Sequence, residues 1–374
     1  MGASTLAPGL APGLAIGLLV ALGAPHDAGF LQDPAAVAGQ ERPLPAAERA
    51  AIDLWESGQR LAAIEALASA RSEGAVADPA AATERLGTWL MRVHRYSGAL
   101  EALESLGAAA DRLRGEALYA LTRYDEALRY LDPADPDHVL LRVDAFEALG
   151  RLEEAGAELE RAGAVLGAED PRLASFEGRR LAREGRFAEA EERFRVALAS
   201  NPIDQRARFG LGRALLQLGQ REEGMAVLAE HRLFVPLIDA LEFAGQSLDL
   251  APFHAPNHAA LGDAQLAVGL LDAAEASYLR ATELATDDEA SPVALRLARF
   301  LEEQRTRPVD AIAALQRAFE RVRDVRLAVR AGDVALRCGR ADLARTWFER
   351  GLELRPGDAV IESRLAAARD REQP

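Results

Sequence analysis

The sequence predicts an all-α protein, and three observations carry that expectation. Its 374 residues are 49% hydrophobic but only 5% aromatic, a composition of alanine and leucine that suits close-packed helices better than sheets, which draw on β-branched and aromatic side chains. Glycine and proline recur at a fixed interval, since Gly178, Gly185 and Pro202 reappear 34 residues later as Gly212, Gly219 and Pro236. Between these markers the apolar residues keep the three-and-four spacing of one helix face, with start and stop signals at either end.

The clearest unit spans residues 171–204. Asp170 offers an N-cap and Pro171 a first helical residue whose missing N–H costs nothing there. The first helix stops at Gly185. A second is expected from Ala188 to Ser200, with Ala190, Phe194 and Ala197 on one face, and Asn201-Pro202 ends it because a residue before proline avoids the helical region. Gly178 and Ala190 let the two helices approach, while Leu181, Phe187 and Phe194 fill the space around that contact. The same intervals return at Gly332, Gly339, Ala344, Phe348, Gly351 and Pro356.

This unit resembles the tetratricopeptide repeat, whose period is about 34 residues, in the form bacteria export. The resemblance implies a right-handed superhelical solenoid of antiparallel helix pairs. It covers residues 46–371 in about nine imperfect copies. Departures fall on single copies: Glu177 stands where the family has a large apolar residue, Gly224 replaces an alanine, and His231 replaces a small residue.

In chain order, residues 1–24 contain the apolar run Leu14–Ala24 with the small residues Ala21 and Gly23 and no charge before Asp27, which reads as an export signal. An uncleaved anchor and a cytoplasmic protein are the alternatives; Pro8, Pro12 and several glycines argue against a stable spanning helix, and no stable membrane span is expected after processing. Residues 25–45 are proline-rich and read as a flexible linker. The array occupies 46–358: Ala51, Leu54, Gly58, Ala63, Leu67 and Ala70 mark its first copy, and Leu86, Gly87, Leu90, Tyr96, Ala99 and Leu103 its second, capped by Asp78-Pro79. Gly115, Leu118, Tyr124, Ala127 and Leu131 mark a short copy, followed by Val143, Phe146, Gly150, Ala155, Leu159 and Ala162. Register is lost at 237–256, where a degenerate or partial repeat is expected. It resumes with Leu261, Gly262, Gly269, Ala274, Tyr278 and Ala281, although Gln265 occupies a core position. Ser291-Pro292 is expected to cap the next helix, whose partner carries Ala311, Leu315 and Ala318. Residues 359–374 form a charged capping helix and tail.

Composition excludes several functions. Forty-four basic against 59 acidic residues leave a net charge of −15, against a general nucleic-acid or anionic-membrane surface. No lysine is present, so a Walker-type phosphate loop is excluded. Gly210 and Gly212 lack the third glycine and preceding strand of a dinucleotide fingerprint and are better explained by helix packing. His254 and His258 flank Pro256 in an expected loop, and Asp132, Asp135 and Asp137 lack the glycine and glutamate of a calcium loop, so neither group reads as a metal site. Cys338 reads as a small packing residue, and Trp55, Trp89 and Trp347 as core or groove lining. No catalytic residues, metal or cofactor are expected.

The resemblance implies that first helices line a concave groove, and hence a non-catalytic scaffold binding a protein or peptide in a cell-envelope assembly. An accessory factor binding an envelope polysaccharide or other anionic polymer, and a non-catalytic subunit of an enzyme complex, are the alternatives. The family's chaperone docking relies on lysines and asparagines. With Asn201 and Asn257 as the sole asparagines, that mode is not expected. The candidate groove residues are instead arginines. Arg172, Arg179 and Arg183 share one helix face, and 34 residues on from the first two stand Arg206 and Arg213. Such a stripe suits carboxylates or phosphates of an acidic partner. The bland alternative is solvation and pairing with Glu177, Glu184 or Glu189.

Overall fold

Antiparallel helix pairs follow one another along the chain, and in most pairs a glycine on the first helix faces a large side chain sixteen residues later. A Cβ added to Gly178 would stand 2.7 Å from Phe194, one on Gly212 2.7 Å from Leu228, one on Gly262 2.8 Å from Tyr278 and one on Gly332 2.5 Å from Phe348. Gly87 faces Leu103 and Gly115 faces Leu131 in the same way. Only a missing side chain allows the backbones this close. Between paired helices the chain reverses through a left-handed residue. Gly58, Gly150, Gly185, Gly219, Gly269 and Gly339 fill it with φ between 72° and 82°, whereas His94 and Thr122 do so at 59° and 62°.

The computed structural model describes residues 43–372. The expected export segment and nearly all of the linker lie outside the described residues. The chain divides into two units, one ending at Leu250 and the other starting at Ala251. In the first, the pairs are α1 (Ala46–Glu56) with α2 (Arg60–Ser72), α3 (Pro79–Arg92) with α4 (Tyr96–Leu103), and α5 (Asp111–Ala120) with the single turn α6 (Tyr124–Ala127). They continue with α7 (His138–Ala148) and α8 (Leu152–Leu166), α9 (Ala174–Arg183) and α10 (Phe187–Ser200), and α11 (Gln205–Gln217) and α12 (Arg221–Leu250). Asp78 caps α3 by accepting from the N–H groups of Ala80 and Ala81. Asp170 accepts from Arg172 N–H, but the turn Pro171–Leu173 is a 3-10 helix that leads into α9.

The second unit holds α13 (Ala255–Ala267) with α14 (Leu271–Leu284), α15 (Asp287–Glu303) with α16 (Pro308–Val322), α17 (Val325–Arg337) with α18 (Ala341–Leu354), and the closing helix α19 (Ala359–Glu372). Most of its core is a cluster around Tyr278, Phe300, Phe319, Trp347 and Phe348, and a smaller separate one gathers Ala255, Ala259, Ala281 and Val293. Trp347 meets Phe319 edge-on with centroids 5.5 Å apart. Gln265, buried at a core position, accepts a 2.7 Å hydrogen bond from the Ser277 hydroxyl.

Four expectations are corrected. Residues 237–250 are not a partial repeat: α12 runs on as one 30-residue helix with Pro236 inside it. Proline deletes a single backbone bond there, and the apolar residues Ile238 and Leu241 beyond it are fully buried. Ser291-Pro292 does not cap α15, which starts five residues earlier with a capping box between Thr286 and Glu289. The HAPNH segment is the opening of α13 rather than a loop, with His254 as N-cap residue. Cys338, expected to pack, is exposed just beyond α17.

Candidate functional site

The inner surface of each unit is built by the first helices. In the first unit α3 contacts α5, α5 contacts α7 and α9 contacts α11, whereas the second helices of neighbouring pairs do not contact one another to a comparable extent. Closer spacing on one side than the other makes the side of the first helices concave.

The arginine stripe lies on this surface, but most of it is neutralised from within. Arg179 donates to Glu147 through Nε at 2.9 Å and Nη2 at 2.6 Å, and Arg183 reaches the other oxygen of the same carboxylate at 2.8 Å. Arg206 of α11 passes over α9 to pair with Asp144 of α7. Asp144 also accepts a 2.5 Å hydrogen bond from the Tyr119 hydroxyl and lies 3.7 Å from Arg179. Burial works to raise the Asp144 pKa, yet Arg206 and Arg179 outweigh it and hold the carboxyl below its usual range. The Tyr119 hydroxyl is pushed well above the phenol range by burial and by Asp144. Arg172 turns away from the others to its own N-cap, Asp170, at 2.8 Å.

Arg213 differs. It is exposed, and among the described residues it has no carboxylate partner; its guanidinium stands 5.8 Å from the ring of Phe209, itself 39% exposed. Arg206, Phe209 and Arg213 follow at helical spacing on one ridge of α11, so the Phe209–Arg213 pair faces the same concavity as the ladder. The expected partners Glu177, Glu184 and Glu189 are engaged elsewhere: Glu177 by Arg193, and Glu184 and Glu189 by Arg186.

Tyr119, Asp144 and Glu147 were not among the sequence candidates. A signal existed: Asp144 precedes Gly150 by six residues, as Arg179 precedes Gly185 and Arg213 precedes Gly219. Alignment on the turn glycines puts an acid and two arginines in one row.

At the opposite end of the first unit, Trp55 and Trp89 stack with centroids 4.4 Å apart, and Arg60 lies 3.8 Å over the Trp55 ring. Close by, Asp249, near the end of α12, meets Arg92 at 3.2 Å and His94 at 3.0 Å. Elsewhere, Arg112 bridges Asp135 and Asp137 at 3.0 Å each, and Asp132 accepts from Ala134 N–H, so that acidic cluster is a self-neutralised turn. No group of His, Cys, Asp and Glu among the described residues is arranged to hold a metal ion, and no described helix is long and apolar enough to cross a membrane.

Two sequence-family models, both described as tetratricopeptide repeat, match the chain at residues 181–236 and 301–359. No curated protein matches it. Solved structures similar to it include TTC0263, a thermophilic TPR protein of Thermus thermophilus, at 22% identity over 53% of this chain and 98% of that one, with a TM-score of 0.30. The APC/C hetero-tetramer Cut9-Hcn1 matches at 14% identity over 86% and 89%, TM-score 0.30. YrrB, described as a TPR protein with an unusual peptide-binding site, matches at 14% identity over 56% and 97%, TM-score 0.27.

Proposed function

We propose that this chain, which tetratricopeptide repeat models match at residues 181–236 and 301–359, is a non-catalytic scaffold that holds an acidic protein or peptide segment against the inner surface of its first unit. Proteins of this family are in general protein-binding scaffolds. The observation that carries the reading here is the Phe209–Arg213 pair, an exposed ring and an exposed guanidinium without a carboxylate partner among the described residues, at the edge of a surface whose other arginines are satisfied. A carboxylate can be received there as a charge-assisted hydrogen bond beside an apolar contact. The neighbouring ladder of Asp144, Arg179, Glu147 and Arg206 fixes the geometry of that surface before a partner arrives, which lowers the ordering cost of binding.

Export to the cell envelope belongs to the same proposal and is supported by the apolar run Leu14–Ala24. Mass spectrometry of the protein recovered from fractionated native cells tests it: an intact amino terminus in the cytoplasmic fraction removes the envelope role. The scaffold reading is tested by affinity purification with the full chain and with a Phe209→Ala/Arg213→Ala variant. A partner bearing an acidic segment, retained by the first and lost by the second at unchanged helicity, supports it. Identical retention by both places the binding surface elsewhere.

A further inference from the structure

The carboxylate of Asp249 is 8% exposed and sits against a part of the chain 155 residues behind it. Its oxygens meet Nε of Arg92 and Nε2 of His94. A carboxylate only accepts, so His94 donates from Nε2, and its Nδ1 meets the Tyr96 hydroxyl at 2.7 Å. Arg60 stands nearby with a buried Nε that has no hydrogen-bond partner. Burial and the charge of Arg92 bring Arg60 down to about 10, while Asp249 acts in the opposite direction.

Two features set this cluster apart from the remainder of the inner surface. Arg179, Arg183 and Arg206 are neutralised by carboxylates of first helices within their own stack. Among the described residues, Arg92 finds its carboxylate only on the distant end of α12, and Arg60 makes no ion pair at all. Moreover, His94 holds a left-handed turn that glycine fills in most pairs, at φ 59°. A histidine in that conformation is strained, and such strain concentrates where a side chain must be aimed at a ligand.

We propose that Arg60, Arg92 and His94 form a carboxylate-binding site that Asp249 fills in cis, so that the second half of α12 is a self-ligand displaced by an acidic segment of the partner. The inference rests on the reading of the inner surface as the partner-binding face. The segment is held on one side by the buried Ile238, Leu241, Ala244 and Leu248. On the other it is weakly supported: Pro236 removes a backbone bond, Phe243 is 73% exposed, and Glu242 keeps a buried oxygen without a partner. Leaving without replacement strands two arginines and a histidine in a partly desolvated cluster, which is costly. Exchange for another carboxylate restores the charge balance, and the site thereby selects acidic segments.

The test uses the full chain, fluorescein-labelled hexaglutamate as probe, and hydrogen exchange over residues 237–250. Asp249→Asn is expected to bind the probe about tenfold more tightly than the parent chain, because the competing internal ligand is weakened. Adding Arg92→Ala to that variant is expected to abolish the gain, and the probe is expected to speed exchange over 237–250 in the parent. Asp249→Glu, which keeps the charge, is expected to behave as the parent and controls for loss of fold. Equal affinity of parent and Asp249→Asn, or a gain that survives Arg92→Ala, overturns the proposal. A native partner lost with Phe209→Ala/Arg213→Ala but indifferent to Asp249→Asn also overturns it and leaves the scaffold reading intact. Probe displacement without any captured partner counts against the scaffold reading alone.

Discussion

Gly178 stands against the ring of Phe194 so closely that a methyl group at 178 would lie 2.7 Å from Cδ1. The same ring also touches Gly210 of the next pair, so Phe194 has no free direction in which to retreat. Gly178→Ala is therefore expected to destabilise the first unit by about 1–3 kcal/mol, the usual cost of overpacking. Urea denaturation reads this, and Phe194→Leu in the Gly178→Ala background should recover part of the loss. An unchanged midpoint for Gly178→Ala contradicts the packing described here.

Asp144 joins α5, α7, α9 and α11 through Tyr119, Arg179 and Arg206. Its removal in Asp144→Ala strands the buried Tyr119 hydroxyl and leaves the half-buried Arg179 and the exposed Arg206 short of a partner, and is expected to cost about 1–3 kcal/mol. Because its folded pKa lies below the ordinary carboxylate value near 4, its charge contribution is fully present above about pH 4. That contribution is lost as the pH falls through the folded pKa. Stability curves of the parent and Asp144→Asn should converge in acid and separate toward neutral pH; parallel curves count against the ladder.

Arg179 and Arg213 occupy the same position in neighbouring copies but are expected to respond in opposite ways. Arg179→Ala exposes Glu147 and weakens the hold on Asp144, so it should lower stability. Arg213→Ala should leave stability unchanged and weaken an acidic partner by roughly 1.5–3 kcal/mol, the range for a charged hydrogen bond. Titration calorimetry and denaturation on both variants separate the two effects. A loss of binding with Arg179→Ala at full stability would reverse the assignment.

Glu242 is raised to about 7 by burial and by Asp239. Its folded pKa exceeds the unfolded carboxylate value, so the folded state favours the protonated form. The contribution is fully present below about pH 4 and is lost as the pH rises through the folded pKa. Hydrogen exchange over residues 237–250 should accelerate, beyond its intrinsic pH dependence, across that window in the parent. In Glu242→Gln this extra acceleration should vanish.

The pairing of helices was legible in the sequence because everything that sets it is local. Asp78 and Asp170 cap helices within three residues, the turn glycines lie two residues from a helix end, and the packing glycines meet their large partners sixteen residues later. Spacing alone therefore determined the all-α class and the close approach of the helix pair at Gly178, while the structure showed that the side chain against that glycine is Phe194 rather than Ala190. Three-dimensional structure decided the rest. Pro236 looked like a stop because most helices end there, yet burial of Ile238 and Leu241 outweighs one lost hydrogen bond and carries α12 through it. Arg206 read as a groove residue open to an acidic partner, but in the structure it pairs with Asp144, 62 residues away, and nothing in the spacing placed Asp249 beside His94. Electrostatic partners are chosen by distance in space, and in a curved stack of helices that distance depends on how successive pairs pack, which no single repeat encodes.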